Sequence, residues 1–90
     1  MAAIAIIVSQ VADYNSWRAA FDDHEDFRVM NGMTSSKVHV SPDDRNRVVV
    51  VGSFDSVEAA KTFASLPDLA QAMKDSGVVG PPEITFAEVV

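Results

Sequence analysis

Cysteine is absent from this 90-residue sequence, which excludes disulfide bonds, thiolate catalysis and metal sites built on cysteine ligands. Basic residues are also scarce, because seven Lys and Arg stand against thirteen Asp and Glu, for a formal net charge of -6. Such a chain repels phosphate backbones and anionic lipids. We therefore expect neither nucleic acid nor a membrane as a partner.

Long apolar segments and a basic leader are lacking as well. The apolar stretch from Ala2 to Val8 is too short to span a bilayer, and no basic residue precedes it. Glycine and proline number four each and 48% of the residues are hydrophobic, which is typical of a folded domain rather than a disordered chain. We expect a single domain over residues 1–90 and a cytoplasmic location.

The first half of the chain predicts a strand, a helix and a hairpin. Residues Ile4 to Val11 form an apolar, β-branched run, and Asp13 then caps a helix that Gly32 ends. Residues 33–40 alternate with a period of two, as expected for a half-buried strand. Turn-forming residues at 41–46 connect it to a further strand over Arg47 to Phe54.

The second half predicts a helical segment and a last strand. Asp55, followed three residues later by Glu58, forms a capping box that opens a helix through Phe63. Pro67 starts a second short helix that runs to Gly77, and residues 84–90 alternate as a strand. The order β, α, β, β, α, β predicts an α+β fold of ferredoxin-like type. Its antiparallel sheet has strands 1 and 3 in the centre and the helices on one face.

The two central strands predict a homodimer. Residues 4–8 and 48–51 are apolar without a break, so both faces of these strands favour burial. Four or five apolar residues on the helix-free face contribute about 1.5 to 3 kcal/mol each when they are covered. A second copy can cover that face with the same face of its own sheet.

The first helix carries the residues that point to a small-molecule site. Trp17, Phe21, His24 and Arg28 fall within roughly 40° of one line on a helical wheel. The line faces the sheet, where two titratable groups need partners or a cavity. His24 and Arg28 are the candidate catalytic residues, His24 for proton transfer and Arg28 for a carboxylate or enolate oxygen. The alternative is that His24 is a hydrogen-bonded core residue and that Arg28 reaches past the end of the helix to water or to an acidic partner.

Aromatic side chains around this pair are the candidate substrate-binding residues, namely Tyr14, Trp17, Phe21 and Phe27. They suit a small hydrophobic or aromatic ligand. His24 and His39 lie on different elements, and the acidic residues 22–26 are typical of a solvated helix face, so no metal site is predicted. No glycine-rich turn joins a strand to a helix, so no nucleotide cofactor is predicted either. His39 is expected on the helix-free or exposed face of its strand.

Several segments together resemble a known group of proteins. They are Asp13-Tyr14 with Trp17, then Phe21, His24 and Arg28, the Asn46-Arg47-Val48 hairpin, the helix from Asp55 to Phe63, and Met73 before the segment Gly77 to Phe86. Over nearly the whole chain the sequence is similar to the small dimeric α+β barrel proteins, in the branch called antibiotic biosynthesis monooxygenase-like or cyclase-like. The resemblance implies two sheets packed face to face in a dimer and a pocket between each sheet and its helices.

For function, the resemblance implies a cofactor-free enzyme, a cyclase, an isomerase or a monooxygenase, acting on an aromatic or polyketide-like acid. The oxygenases of that group carry an asparagine late in the first strand, where this sequence has Ser9 and Gln10. A non-catalytic dimer that binds a ligand or serves as an accessory subunit is the alternative. An enzyme needs an acid or base within hydrogen-bond reach of the ligand, whereas a binding protein needs only shape and a few donors.

Overall fold

The computed structural model describes residues 1–90 and contains four strands and four helices. The strands are β1 (Ala3–Val11), β2 (Ser35–Val40), β3 (Arg47–Phe54) and β4 (Val78–Glu88). The helices are α1 (Tyr14–Asp23), α2 (Glu25–Met30), α3 (Val57–Ala64) and α4 (Pro67–Asp75). None of the four helices combines the length and the apolar character that crossing a bilayer requires.

The four strands form one antiparallel sheet in the order β2-β3-β1-β4. β1 and β3 occupy the centre, with Ile7 opposite Val50 and Ala5 opposite Gly52. The predicted ferredoxin-like α+β fold is therefore confirmed.

The core lies between the sheet and the helices. Along β1 and β3, every second residue points to the helices and is buried, including Ile7, Val48 and Val50. These side chains form one cluster with Trp17 of α1 and Phe63 of α3. The intervening residues of both strands point to the opposite face, which no helix covers.

The first helix is interrupted, which corrects the prediction of one continuous helix to Gly32. α1 ends at Asp23, and His24 has φ -98° and ψ 15° before α2 begins. The backbone N–H of His24 donates to the carbonyl of Phe21 at 3.2 Å. This hydrogen bond joins residues three apart, as in a 3₁₀ turn, which is tighter than an α-helical turn. The same carbonyl accepts from the guanidinium of Arg28 at 2.6 Å. The break turns α2, so that Arg28 reaches back over α1.

The helix caps partly follow the sequence. Asp13 caps α1 as predicted, since its carboxylate accepts from the N–H of Ser16 at 2.9 Å. Hydrogen bonds from Ser16 lower the pKa of Asp13, and the bond from the backbone N–H contributes more than the bond from the side chain. This cap therefore stabilises the fold above the ordinary pKa of aspartate, and its contribution is lost as the pH falls through the lowered value.

The cap of α3 is Ser56, not Asp55. The hydroxyl of Ser56 accepts from the N–H of Ala59 at 3.0 Å, whereas Asp55 is exposed one residue before the cap. Serine and aspartate are about equally good N-caps, so only the backbone geometry at residue 56, with φ -155° and ψ 162°, distinguishes them.

The last strand is longer than predicted. β4 begins at Val78, six residues before the expected start at Ile84, and includes Pro81 and Pro82. The prolines are tolerated because β4 is an edge strand. Its register with β1 shifts between Val8 and Gln10, because residues 80–82 of β4 stand opposite the single residue Ser9.

The two candidate caps of α3 give a paired test. Ser56→Ala should lower the free energy of unfolding by about 1 kcal/mol, because it removes the acceptor of an otherwise unpaired helical N–H. Asp55→Ala should have a smaller effect, since its carboxylate accepts no hydrogen bond from the helix. Urea unfolding of both variants checks this, and a larger loss for Asp55→Ala would contradict it.

Candidate functional site

A cavity of about 170 Å³ lies between the helices and the sheet. Of its 17 lining residues, 12 are hydrophobic, among them Ile7 and Val50 of the sheet, Phe63 of α3 and Met73 of α4. Apolar cavities of this kind hold apolar ligands, with a few polar groups to fix their orientation.

Three of the predicted aromatic residues, Trp17, Phe21 and Phe27, line the cavity. Trp17 is buried, and its ring lies 5.0 Å from that of Phe21 between centroids. Phe27 lies 6.1 Å from Phe63, which fixes α2 against α3. Contacts at these distances restrain the rings and give the cavity a firm aromatic wall.

Among the charged residues that line the cavity, Arg28 is the buried one, with 8% of its surface exposed. Its guanidinium donates to the Phe21 carbonyl and lies 3.6 Å from the centroid of the Phe21 ring. The two ion pairs of the protein, Arg18 with Asp22 and Arg47 with Glu83, do not include it. A buried cation without a carboxylate partner is costly, and a bound anion would offset that cost.

Electrostatics at Arg28 are dominated by its burial. Desolvation lowers the pKa of the guanidinium, and the nearby charges of Glu25 and Asp22 oppose this shift. These carboxylates act through space, since neither forms an ion pair with Arg28. Arg28 therefore stays charged at neutral pH, as guanidinium groups do, with most of its donors free for a ligand.

His24 lines the cavity but is exposed, because it occupies the break between α1 and α2. The prediction that it lies buried within the sheet-facing stripe is therefore wrong, and so is the alternative of a hydrogen-bonded core histidine. Its ring packs 5.4 Å from that of Phe27. A histidine in this position can exchange protons with solvent and with a ligand atom near the cavity mouth.

Tyr14 does not line the cavity. Its ring lies 6.1 Å from that of Trp17 and under the guanidinium of Arg45 at 4.8 Å, while its N–H donates to the side chain of Asn46 at 2.9 Å. Tyr14 thus supports Trp17 from behind and ties the start of α1 to the β2–β3 turn. Tyr14 contacts Trp17 but lies outside the cavity that the other five site residues line.

Ser9 is a cavity residue that the sequence analysis missed. It is 5% exposed and lines the cavity from β1. Its hydroxyl makes no hydrogen bond within the chain. Every fully enclosed polar side-chain atom of the protein has a hydrogen-bond partner, so the unpaired hydroxyl of Ser9 is not fully enclosed and is open to the cavity. The signal was present in the alternation, since Ser9 continues the helix-facing series Ala3, Ala5 and Ile7.

A polar groove borders the cavity on the far side of Arg28. Arg28 and Met33 line both spaces, and the groove adds Thr34, Ser35 and Ser36. No three His, Asp or Glu side chains lie close enough together to ligate a metal ion. The polar groups available to a ligand in the cavity are therefore Arg28 and Ser9 within it, and His24, Asp75 and Ser76 around them.

Comparisons with known proteins show the fold. No family model matches the sequence, and no curated protein matches it either. Among solved structures, a candidate antibiotic biosynthesis monooxygenase from Bordetella bronchiseptica has a TM-score of 0.83 at 16% identity, covering 99% of this chain and 97% of that one. A second candidate monooxygenase, from Nitrosomonas europaea, has a TM-score of 0.75 at 12% identity, covering 99% and 90%.

SnoaB, a cofactor-independent oxygenase from Streptomyces nogalater, is similar in structure as well. Its TM-score is 0.76 at 11% identity, covering 99% of this chain and 93% of that one. The chain therefore has the fold of the antibiotic biosynthesis monooxygenase structures, as the resemblance implied. Identities this low establish the fold alone, so function is argued from the site.

Proposed function

We propose that this protein is a cofactor-free enzyme that binds an aromatic or polyketide-like acid in the cavity between its helices and its sheet. One observation carries the proposal, the buried guanidinium of Arg28 in the wall of an apolar cavity without a carboxylate partner. In a ligand with an apolar body and one anionic group, the body would contact the apolar lining and the anionic group would pair with the guanidinium.

The proposed chemistry is proton transfer at a group conjugated to that anion. Arg28 would hold the carboxylate or enolate oxygen and stabilise negative charge as it develops. His24, at the cavity mouth, would accept or donate the proton. This assignment fits a cyclase, an isomerase or an oxygenase. The similarity to SnoaB, named as a cofactor-independent oxygenase, supports chemistry without a cofactor.

The alternative, a non-catalytic binding or accessory dimer, is favoured by one observation. His24 is exposed at the break between the helices, and the buried polar groups of the cavity are Ser9 and Arg28, neither of which is an acid or base near neutral pH. Such a cavity suffices for binding. Catalysis therefore depends on whether His24 reaches the bound ligand.

Removing the Arg28 charge tests the binding proposal. Arg28→Met keeps much of the side-chain stem and removes the charge. It should weaken the binding of aromatic carboxylates and leave the binding of their neutral amides about unchanged, since only the carboxylate pairs with the guanidinium. The loss should be about tenfold or more, the value of a charge-assisted hydrogen bond. Calorimetric titration with carboxylates of one, two and three rings, each paired with its amide, measures it.

Arg45→Met is the matched control, because Arg45 is exposed in the β2–β3 turn and stacks on Tyr14, which does not line the cavity. It should leave both ligand series unchanged. Equal weakening of carboxylates and amides by Arg28→Met would contradict an anion-binding role and indicate a loss of packing instead. Failure of every acid to bind the unmodified protein would reject the proposed function.

His24→Ala separates the enzyme from the binding protein. Because His24 is exposed, the substitution should change the free energy of unfolding by less than about 0.5 kcal/mol. It should preserve binding of an aromatic acid but abolish protein-catalysed deuterium exchange at the acidic C–H of an enolisable aryl keto acid, followed by NMR. Exchange no faster than in buffer with the unmodified protein would favour the non-catalytic alternative.

We also propose that the protein is a homodimer joined through the helix-free face of its sheet. The centre of that face is apolar, with Ile6 of β1 opposite Val51 of β3, and Val8 opposite Val49. A second copy supplies an identical apolar face, and burying apolar surface is the main drive for association. The cytoplasmic location expected from the composition stays a prediction.

The edges of this face carry opposite charges, which favours a second copy over another occupant. Lys37 and His39 lie on β2, beside Val51 and Val49, and Glu83 lies on β4 beside Val8. Rotation about an axis parallel to the strands places the β2 edge of one copy over the β4 edge of the other. Lys37 then faces the edge that carries Glu83.

Val51→Asp tests this interface. The charge would be buried unpaired in the dimer, so the variant should lose both dimer and stability, by several kcal/mol. Val29→Asp, on the exposed side of α2, is the control and should stay dimeric. Sedimentation equilibrium measures both. A folded monomer of the unmodified protein at micromolar concentration would contradict the proposal.

A further inference from the structure

The size of the cavity restricts what it can hold. Its volume of about 170 Å³ is close to that of engineered cavities of about 150 Å³ that bind benzene. Sites for drug-sized molecules are larger, at about 300 to 1,000 Å³. The cavity therefore encloses one aromatic ring with small substituents, and a fused three-ring system would extend out through its open side.

The walls of the cavity resist expansion. Trp17 and Phe63 are 5% and 1% exposed, and each packs against another ring, Trp17 against Phe21 and Phe63 against Phe54. Moving either ring would open voids elsewhere in a close-packed core. The free space exists because small residues, Ala20 of α1 and Ala72 of α4, face it.

Two buried polar side chains determine which substituents the aromatic ring of the ligand must carry. Arg28 provides donors for one anionic group, and the planar guanidinium fork matches a carboxylate. Ser9 provides a hydroxyl that has no partner in the chain. Asp75 also lines the cavity, and its negative charge disfavours a dianion more than a monoanion.

We propose that the ligand is a monocyclic aromatic carboxylate with a hydroxyl substituent, of the hydroxybenzoate class. The carboxylate lies on Arg28, the ring fills the space between Trp17 and Phe63, and the hydroxyl pairs with Ser9. This inference rests on the proposed function and narrows it, because it favours a single ring over the fused rings of polyketide-like acids.

Titration of the unmodified protein with benzoate, the three hydroxybenzoate isomers, 2-naphthoate and anthracene-2-carboxylate tests the size and the substituent. At least one hydroxybenzoate should bind more tightly than benzoate. The two-ring acid should bind at least about tenfold more weakly, as expected when a snug apolar pocket meets an oversized group. Ser9→Ala should abolish the preference for the hydroxyl and leave benzoate affinity unchanged.

Ala20→Leu places a larger side chain in the cavity and should weaken the best hydroxybenzoate at least about tenfold. Ala19→Leu, one residue earlier and exposed, is the matched control and should bind normally. If Ala20→Leu unfolds, Ala72→Leu fills the space from α4, with the exposed Ala70→Leu as its control. Circular dichroism melting verifies the fold of each variant.

The outcomes separate the two proposals. Equal or tighter binding of the three-ring acid, still dependent on Arg28, would overturn the single-ring inference and leave the proposed function intact. Equal loss of benzoate and hydroxybenzoate affinity in Ser9→Ala, or no preference for any hydroxybenzoate, would overturn the role of Ser9. Absence of binding by acids of every size would overturn both.

Discussion

The apolar character of both faces of the two central strands is the constraint on which this structure depends. In β1 and β3, successive residues point to opposite sides, and both sides are hydrophobic. One side is satisfied by α1, α3 and α4, which together form the core and enclose the cavity. The other side has no cover within the chain. Core, cavity and proposed dimer interface are thus three consequences of the same two strands.

The site depends on a second, local interaction, the contact of Arg28 with the Phe21 carbonyl. Stopping α1 at Asp23 exposes that carbonyl to a side-chain donor, and the guanidinium both fills it and covers the Phe21 ring. One backbone carbonyl occupies one guanidinium donor and does not neutralise the charge, so Arg28 is satisfied neither in hydrogen bonding nor in electrostatics. An anionic ligand would complete it, and this is the basis of the role proposed for Arg28.

The sequence predicted the element order, the sheet topology and the helix-facing residues, because hydrophobic periodicity records burial directly. It also placed Trp17 and Phe21 together, since residues at helical spacing share a face, whereas Arg28 joins them because the break turns α2 back over α1. It failed at His24, because the wheel assumes an unbroken helix and the periodicity does not reveal that α1 ends at Asp23. The start of β4 was missed because prolines are tolerated only at a sheet edge, a property of the assembled sheet.

The position of Ser9 follows from the periodicity, but the empty space beside it does not. Its alternation with Ile7 places it on the helix side, and a serine in that series is a polar residue at a core position. The periodicity alone does not reveal that the space beside it is empty, since this requires the helices to be in place with Ala20 and Ala72 facing the gap.

Alternation also keeps the two proposed functions of the sheet independent. Ser9 and Ile7 face the cavity, while their neighbour Val8 faces away from it, so adjacent residues of one strand serve a ligand and a second copy. A substitution on either face changes one surface without altering the side chains of the other. The coupling that does remain passes through the backbone of β1, where Ser9 stands opposite the extra residues 80–82 of β4.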